Sequence, residues 1–249
     1  MASEYDEREE SVLEPTNPTL LDAIEEKNRA IGKKNLIHRM VCISRLRDNA
    51  SDPNSVGNHY EKLFKHLQNM YQSEPITGLL LIYHKHIVHV VETSSDMLLK
   101  YVQDLQKTEQ DETSFAAKSK ILVVSHDIPD RLYSQWSFRG LDIQAHSLDQ
   151  NESNEDTYNV VGDVLTQLVK LGVHLSRQPK LTLKSAMDSL YEKVPELLPQ
   201  QGTIHSLLMN DDNCMILPKE YLAMYEQPFD FTLDSELSWP LPTRLFPYN

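Results

Sequence analysis

Three histidines lie within a short stretch of this sequence, at His84, His86 and His89. That density invites a metal reading. In extended chain, however, neighbouring side chains point to opposite faces, and no Asp, Glu or Cys is spaced to complete a ligand set. The spacing predicts solvated turn histidines at 84 and 86, and a buried or pocket-lining imidazole at His89. Cys42 stands among Met40, Val41 and Ile43 and reads as a structural thiol. As a nucleophile it would need a base within hydrogen-bond reach. Ser44, Ser125 and Ser137 have no Gly-x-Ser-x-Gly setting, and no phosphate-binding loop or dinucleotide fingerprint is present. The acidic pairs Glu9-Glu10, Glu25-Glu26 and Asp211-Asp212 fall in polar runs and read as solvated. The sequence therefore predicts no catalytic residue and no metal site.

The whole chain sets the same bounds. With 249 residues, 40% of them hydrophobic, it can build one sizeable domain or two small ones. A formal charge of −13 opposes binding to nucleic acid or to an anionic membrane surface, because both need a basic face. Two cysteines give no disulfide framework. The acidic start is unlike a secretory or mitochondrial signal, and the most apolar run, Leu79 to Tyr83, is far short of the roughly 20 residues a membrane helix needs. The expected location is the cytosol.

Apolar periodicity supplies the elements that must position these residues. Residues 1–35 form an acidic extension with a short helix from Thr19 to Ile31, ended by Gly32. Strands are expected at Leu36–Leu46, Ile76–Tyr83, Ile87–Glu92, Ile121–Ser125 and Gln135–Leu141. Asp48–Asn58 reads as loop, with Pro53 and Gly57 as breakers. Helices are expected at His59–Tyr71, with Tyr60, Phe64 and Leu67 on its apolar face, and after Ser94, carrying Met97, Leu98, Tyr101, Val102 and Leu105. The order β-α-β-β-α-β-β is a ferredoxin-like α+β plan with one extra strand. Two helices cover one sheet face, so something else must cover the other face or bind to it. An acidic linker, 146–156, leads to a helical extension over 157–227, with a helix to about Leu175, a second capped by Thr182 and a third at Ile204–Met209. Residues 228–249 read as an extended arm.

Four stretches, Met40–Arg45, Ile76–Leu81, His86–Glu92 and Gln135–Phe138, resemble the BLUF domain, a flavin-binding blue-light sensor, over residues 36–145. The resemblance implies a ferredoxin-like sheet that carries the family's flavin site. It also implies that the chemistry has been lost. Cys42 stands at the position of the electron-donating tyrosine and His89 at that of the light-responsive glutamine; Met70 or Tyr71 stands at that of the ring-binding asparagine. Trp136, Ser44 and Gly78 are kept. Cysteine, histidine and methionine cannot reproduce the original hydrogen-bond network, so no cofactor is expected. Both Cys42 and His89 would project toward the former flavin site, which makes them a candidate thiol–imidazole pair.

Acidic tail, BLUF-like domain and helical extension together resemble the testis-expressed protein 47 family. That resemblance implies germ-cell expression and a place in the sperm flagellum or ciliary axoneme. The arm gives the expected means of attachment. Phe229, Phe231, Trp239, Phe246 and Tyr248 are threaded among prolines, too apolar for a free tail. They fit either packing against the chain's own domain or recognition of a protein partner. Three functions follow: a non-catalytic scaffold or adaptor with axonemal protein partners; a sensor still holding flavin or another small ligand; and a thiol-dependent enzyme through Cys42.

Overall fold

The structure, a computed structural model, describes residues 19–30, 36–48, 52–71, 74–141, 156–179, 183–210 and 214–227. Gly32, Thr182, the 146–156 linker up to residue 155 and the whole arm with Phe229, Phe231, Trp239, Phe246 and Tyr248 lie outside the described residues. The chain divides into two units, Met1–Leu36 and Ile37–Asn249. In the first, α1 (Leu20–Ala30) starts at a reciprocal cap. The Thr19 amide donates to Asp22 Oδ2 at 2.7 Å, and the Asp22 amide donates to Thr19 Oγ1 at 3.2 Å.

The second unit is built on a five-stranded sheet: β1 (His38–Leu46), β2 (Thr77–Ile82), β3 (His86–Thr93), β4 (Ala116–Ser125) and β5 (Trp136–Gly140), in the order β4-β1-β3-β2-β5. The first four strands pair antiparallel, and β5 adds parallel to β2 with Gly78 opposite Trp136. This is the expected α+β, ferredoxin-like plan with one added strand. The central strands are apolar on both sides because both faces of the sheet are buried. At Gly78, φ is +150°, and a Cβ would stand 2.0 Å from the Val90 carbonyl oxygen, so only glycine lets β2 lie this close to β3.

On one face lie α2 (Pro53–Tyr71) and α3 (Ser95–Gln110), packed on Met40, Cys42, Leu80, Ile82, Ile87 and Val91. The helix expected to begin at His59 begins at Pro53 instead. Proline is tolerated in the first turn, where its missing N–H has no partner to lose. Asp52 tethers that turn, accepting from the Asn54 amide at 2.9 Å. Gly57 is no breaker: a Cβ there would meet the Phe138 ring at 2.4 Å, so the glycine admits β5 against the helix.

The opposite face is covered by the chain's own later helices. These are α4 (Thr157–Ser176), α5 (Leu183–Asp188), α6 (Leu190–Lys193), a 3₁₀ turn at Pro195–Leu197 and α7 (Gln201–Met209). Val164, Leu168, Leu171, Ile204, Leu207 and Leu208 close over Val41, Ile43, Leu79, Leu81, Val88 and Val90. Lys120, 3% exposed, fixes α7 by donating its ammonium to the Leu207 and Asn210 carbonyls at the helix's C-terminal end. A further helix unforeseen from sequence, α8 (Pro218–Tyr225), returns to α3 and places Tyr221 and Leu222 in the first core.

Candidate functional site

Strand alternation brings Cys42 and His89 together. They face each other as register partners across β1 and β3, on the side of the sheet covered by α2 and α3. Trp136 joins them from β5, which sits beside β2. The segment leading into β5 is anchored by Glu92, a carboxylate with no exposed surface. Glu92 accepts from Arg39 Nε at 2.8 Å, Thr77 Oγ1 at 3.0 Å and the amides of Leu132 and Tyr133 at 3.0 and 3.3 Å. Arg131 closes the loop, donating to Thr77 Oγ1 and to the Glu92 carbonyl. A buried carboxylate with this many donors is held by them, and it fixes the approach of Trp136.

Hydrogen-bond directions in the site follow from one donor that cannot accept. Trp136 Nε1–H donates to His89 Nε2 at 3.0 Å, so that nitrogen carries no proton. The neutral imidazole then bears its proton on Nδ1 and donates it to the Tyr101 hydroxyl oxygen at 3.0 Å. The Tyr101 hydroxyl is left to donate to the Cys42 thiol. The result is a directed chain, Trp136 to His89 to Tyr101 to Cys42. Burial holds every titrating member neutral. It pushes the Cys42 thiol up to about 12, opposed only by the Tyr101 hydrogen bond, and pulls the His89 imidazole down to about 3. Burial likewise drives Tyr60 and Tyr101 well above the usual phenol range. A protonated thiol and a base already bonded on both nitrogens make a poor nucleophile pair.

Aromatic rings occupy the space between the two helices and the sheet. Tyr60 stands edge-on to His89 with ring centres 4.7 Å apart and lies 5.9 Å from Tyr101. Phe64 is 5.4 Å from Trp136 and 5.9 Å from His89. The rings of Tyr60, Phe64, His89 and Tyr101 are all buried. Met70 and Tyr71, expected beside the site, are exposed in the last turn of α2 instead. The correction follows from helical period: the buried stripe steps through Val56, Tyr60, Phe64 and Leu67, and its turns over His89 are those of Tyr60 and Phe64. Both aromatic residues were legible as core; their filling of the site was not.

The other sequence candidates separate. Ser44 is buried and shares a 2.9 Å hydroxyl contact with Ser119 between β1 and β4. His84 is exposed in the turn. His86, expected in solvent, is 4% exposed and lies against α7, its Nε2 3.3 Å from His205 Nδ1. It opens β3 on the same face as Val88 and Val90, which the later helices cover. Burial first, then the neighbouring charges of His205, Arg45 and Lys85, lowers its pKa to about 4. Among the described residues no three His, Cys, Asp or Glu side chains are grouped to hold a metal ion, and no helix is long and apolar enough to cross a membrane.

Known proteins with similar features fall into two groups. The family model of testis-expressed protein 47 matches residues 36–227. Among solved structures, BlrP1 BLUF aligns at 14% identity and a TM-score of 0.35, over 64% of this chain and 90% of its own. The ground state of BlsA aligns at 12% identity and 0.34, over 67% and 91%. BlrB, a BLUF protein in its dark state, aligns at 20% identity and 0.31, over 43% and 73%. At these values the likeness extends to no residue's role.

Proposed function

The chain belongs to the testis-expressed protein 47 family, and from that premise we propose that it is a non-catalytic scaffold or adaptor of male germ cells, working in the sperm flagellum or ciliary axoneme. The observation that carries this reading is the closed site. Tyr60, Phe64 and Tyr101 pack against His89 and Trp136 where a BLUF domain would hold its flavin, and the thiol and imidazole are both neutral and engaged. The same packing weighs against a sensor reading, since a planar ligand between α2 and α3 would have to displace buried rings. It also weighs against thiol catalysis. A sheet covered on both faces makes a rigid body suited to holding partners in place, and the family's name supports the germ-cell setting.

In this reading the arm makes the attachment, with Phe229, Phe231, Trp239, Phe246 and Tyr248 as anchors for axonemal proteins. Aromatic anchors on a proline-stiffened segment lose little entropy on docking. The test has two arms. Purified protein should be colourless and take up no flavin on incubation; a stoichiometric flavin band that shifts under blue light would overturn the scaffold reading. In germ cells, Trp239→Ala should reduce co-purification with the axonemal fraction while leaving the Tm nearly unchanged. Full co-purification by the variant would remove the arm from the proposal.

A further inference from the structure

Beside the outer edge of the sheet lies a half-open cleft of about 480 Å³, away from the closed site. Its floor is β4 from Ile121 to Val124, and its wall is α8, with Tyr221, Met224 and Tyr225. Met224 and Tyr225 are 56% and 45% exposed, which leaves an apolar rim open to solvent. At this edge β4 is bonded through a bridge in which Ile121 and Ile216 exchange amide-to-carbonyl bonds of 2.8 and 3.2 Å. Among the described residues no strand pairs with the outer side of β4 beyond that point. A bare edge next to exposed apolar side chains is a surface that proteins ordinarily cover.

The chain itself supplies a cover of the right pattern. Its exit from α8 is at the cleft: the Tyr225 hydroxyl is 3.3 Å from Nε2 of His126, which also lines the cleft just past the end of β4. Pro228 bars continuation of α8. Immediately afterwards Phe229, Phe231 and Leu233 alternate with Asp230, Thr232 and Asp234. In extended chain that alternation puts three apolar side chains on one side and three polar ones on the other. Two residues of chain span at most about 7 Å, so an extended path from Gln227 would bring Phe229 to the cleft without a long loop. Tethering makes the encounter intramolecular, which favours it over any free partner of equal affinity.

We propose that in the unattached protein the segment 229–233 of the same chain folds back into the β4–α8 cleft, with Phe229, Phe231 and Leu233 facing its apolar wall. The arm's docking role rests on the reading above; its resting place does not, and each fails separately. Attachment to a partner would then uncover the cleft, and Met224 and Tyr225 would be the surface so exposed.

The experiment uses the full chain with a photo-crosslinking benzoylphenylalanine in place of Met224, on the exposed rim. Irradiation of dilute protein should give a monomer whose new cross-linked peptide joins position 224 to the segment 228–249. A species of twice the mass would overturn the proposal by making a second copy the occupant. Absence of any cross-link to 228–249 would overturn it by leaving the cleft empty of the arm. The double variant Phe229→Ala, Phe231→Ala in the same background should reduce the intramolecular cross-link several-fold. An unchanged yield would show that these side chains do not seat the segment. None of these outcomes depends on an axonemal partner.

Discussion

The two faces of the sheet are built from the same alternating strands and end up with different chemistry. Toward α2 and α3, aromatic rings, an imidazole and a thiol are bonded in a directed chain. Toward α4 to α7, the layer is mainly Val, Leu and Ile, with Tyr83, Tyr133, Met187 and Met215 among them. The first face is closed mainly by α2 and α3, helices adjacent in sequence to the strands they cover, with Tyr221 and Leu222 of α8 at its edge. The second is closed by residues some hundred positions further on, and the polar groups it buries, His86, Lys120 and the hydroxyls of Tyr83 and Tyr133, are bonded to those later residues and not to one another. The space under α2 and α3 is thus filled by the rings of those helices themselves, whereas the opposite face needs added chain. The comparison predicts that neither cover is dispensable.

The strongest test of that symmetry removes one side chain from each face. Phe64→Ala leaves a cavity among Tyr60, His89, Tyr101 and Trp136 and should cost about 3–5 kcal/mol. Leu171→Ala, on the opposite face and with no exposed surface, should cost about 2–5 kcal/mol. Both are read from denaturant midpoints on the full chain. A Leu171→Ala cost under about 1 kcal/mol would mean that the later helices only rest on the sheet. A small Phe64→Ala cost would mean that the site between α2 and α3 is loose enough to admit a ligand.

Much of this was legible in the sequence, for reasons that also mark its limit. Runs such as Leu79–Ile82 and Ile87–Val91 read as strands because burial on both faces makes them apolar on both sides, with His89 the one exception. Resemblance brought Cys42, His89 and Trp136 together, and the register confirms the grouping. What failed were positions whose meaning depends on a distant contact. Gly57 looked like a helix breaker because nothing local shows that Phe138 needs its missing Cβ. His86 looked solvated because His205, which meets it, lies on α7 far along the chain. Glu92 looked like the polar end of a strand, although four donors from three separate segments converge on it. Met70 and Tyr71 were placed at the site by alignment, where helical period would have chosen Phe64.

Acid should separate the faces next, since each buries one depressed histidine. Folding holds His86 near 4 and His89 near 3, while the unfolded chain takes up both protons below about 6.5. Below that value the unfolded state binds more protons, so these two groups stabilise the fold fully above about pH 6.5 and progressively less as pH falls. The loss from His86 runs down to about 4 and that from His89 to about 3. The two losses run in parallel down to about pH 4, and below that only the loss from His89 continues, so the α2–α3 face should lose the more stability. Amide exchange between pH 6.5 and 3 should show α2 and α7 losing protection together at first and α2 losing more below about pH 4. Equal loss throughout would make the two faces one cooperative unit, and His86→Gln should remove the α7 share of the loss if that imidazole is its cause.

The smallest effect concerns a single hydrogen bond on the aromatic face, and it tests the direction of the whole chain. Trp136 is the only member of the chain that can donate and never accept, so it sets the tautomer of His89 and through it the orientation of the Tyr101 hydroxyl. Trp136→Phe keeps most of the ring packing against Phe64 and removes the N–H. His89 Nε2 is then a buried acceptor without its donor, at a cost of about 1–3 kcal/mol. Half-burial of Trp136 favours the lower end, because water can approach from that side. Nitrogen-15 spectra of the unmodified protein should show His89 protonated on Nδ1 and bare on Nε2 from neutral pH down to about 4. In Trp136→Phe, a second population protonated on Nε2 should appear, since nothing then selects the tautomer. Finding the proton on Nε2 in the unmodified protein would reverse the chain, turn Tyr101 into a donor to His89, and leave the Cys42 thiol without the hydrogen bond that now opposes the effect of its burial.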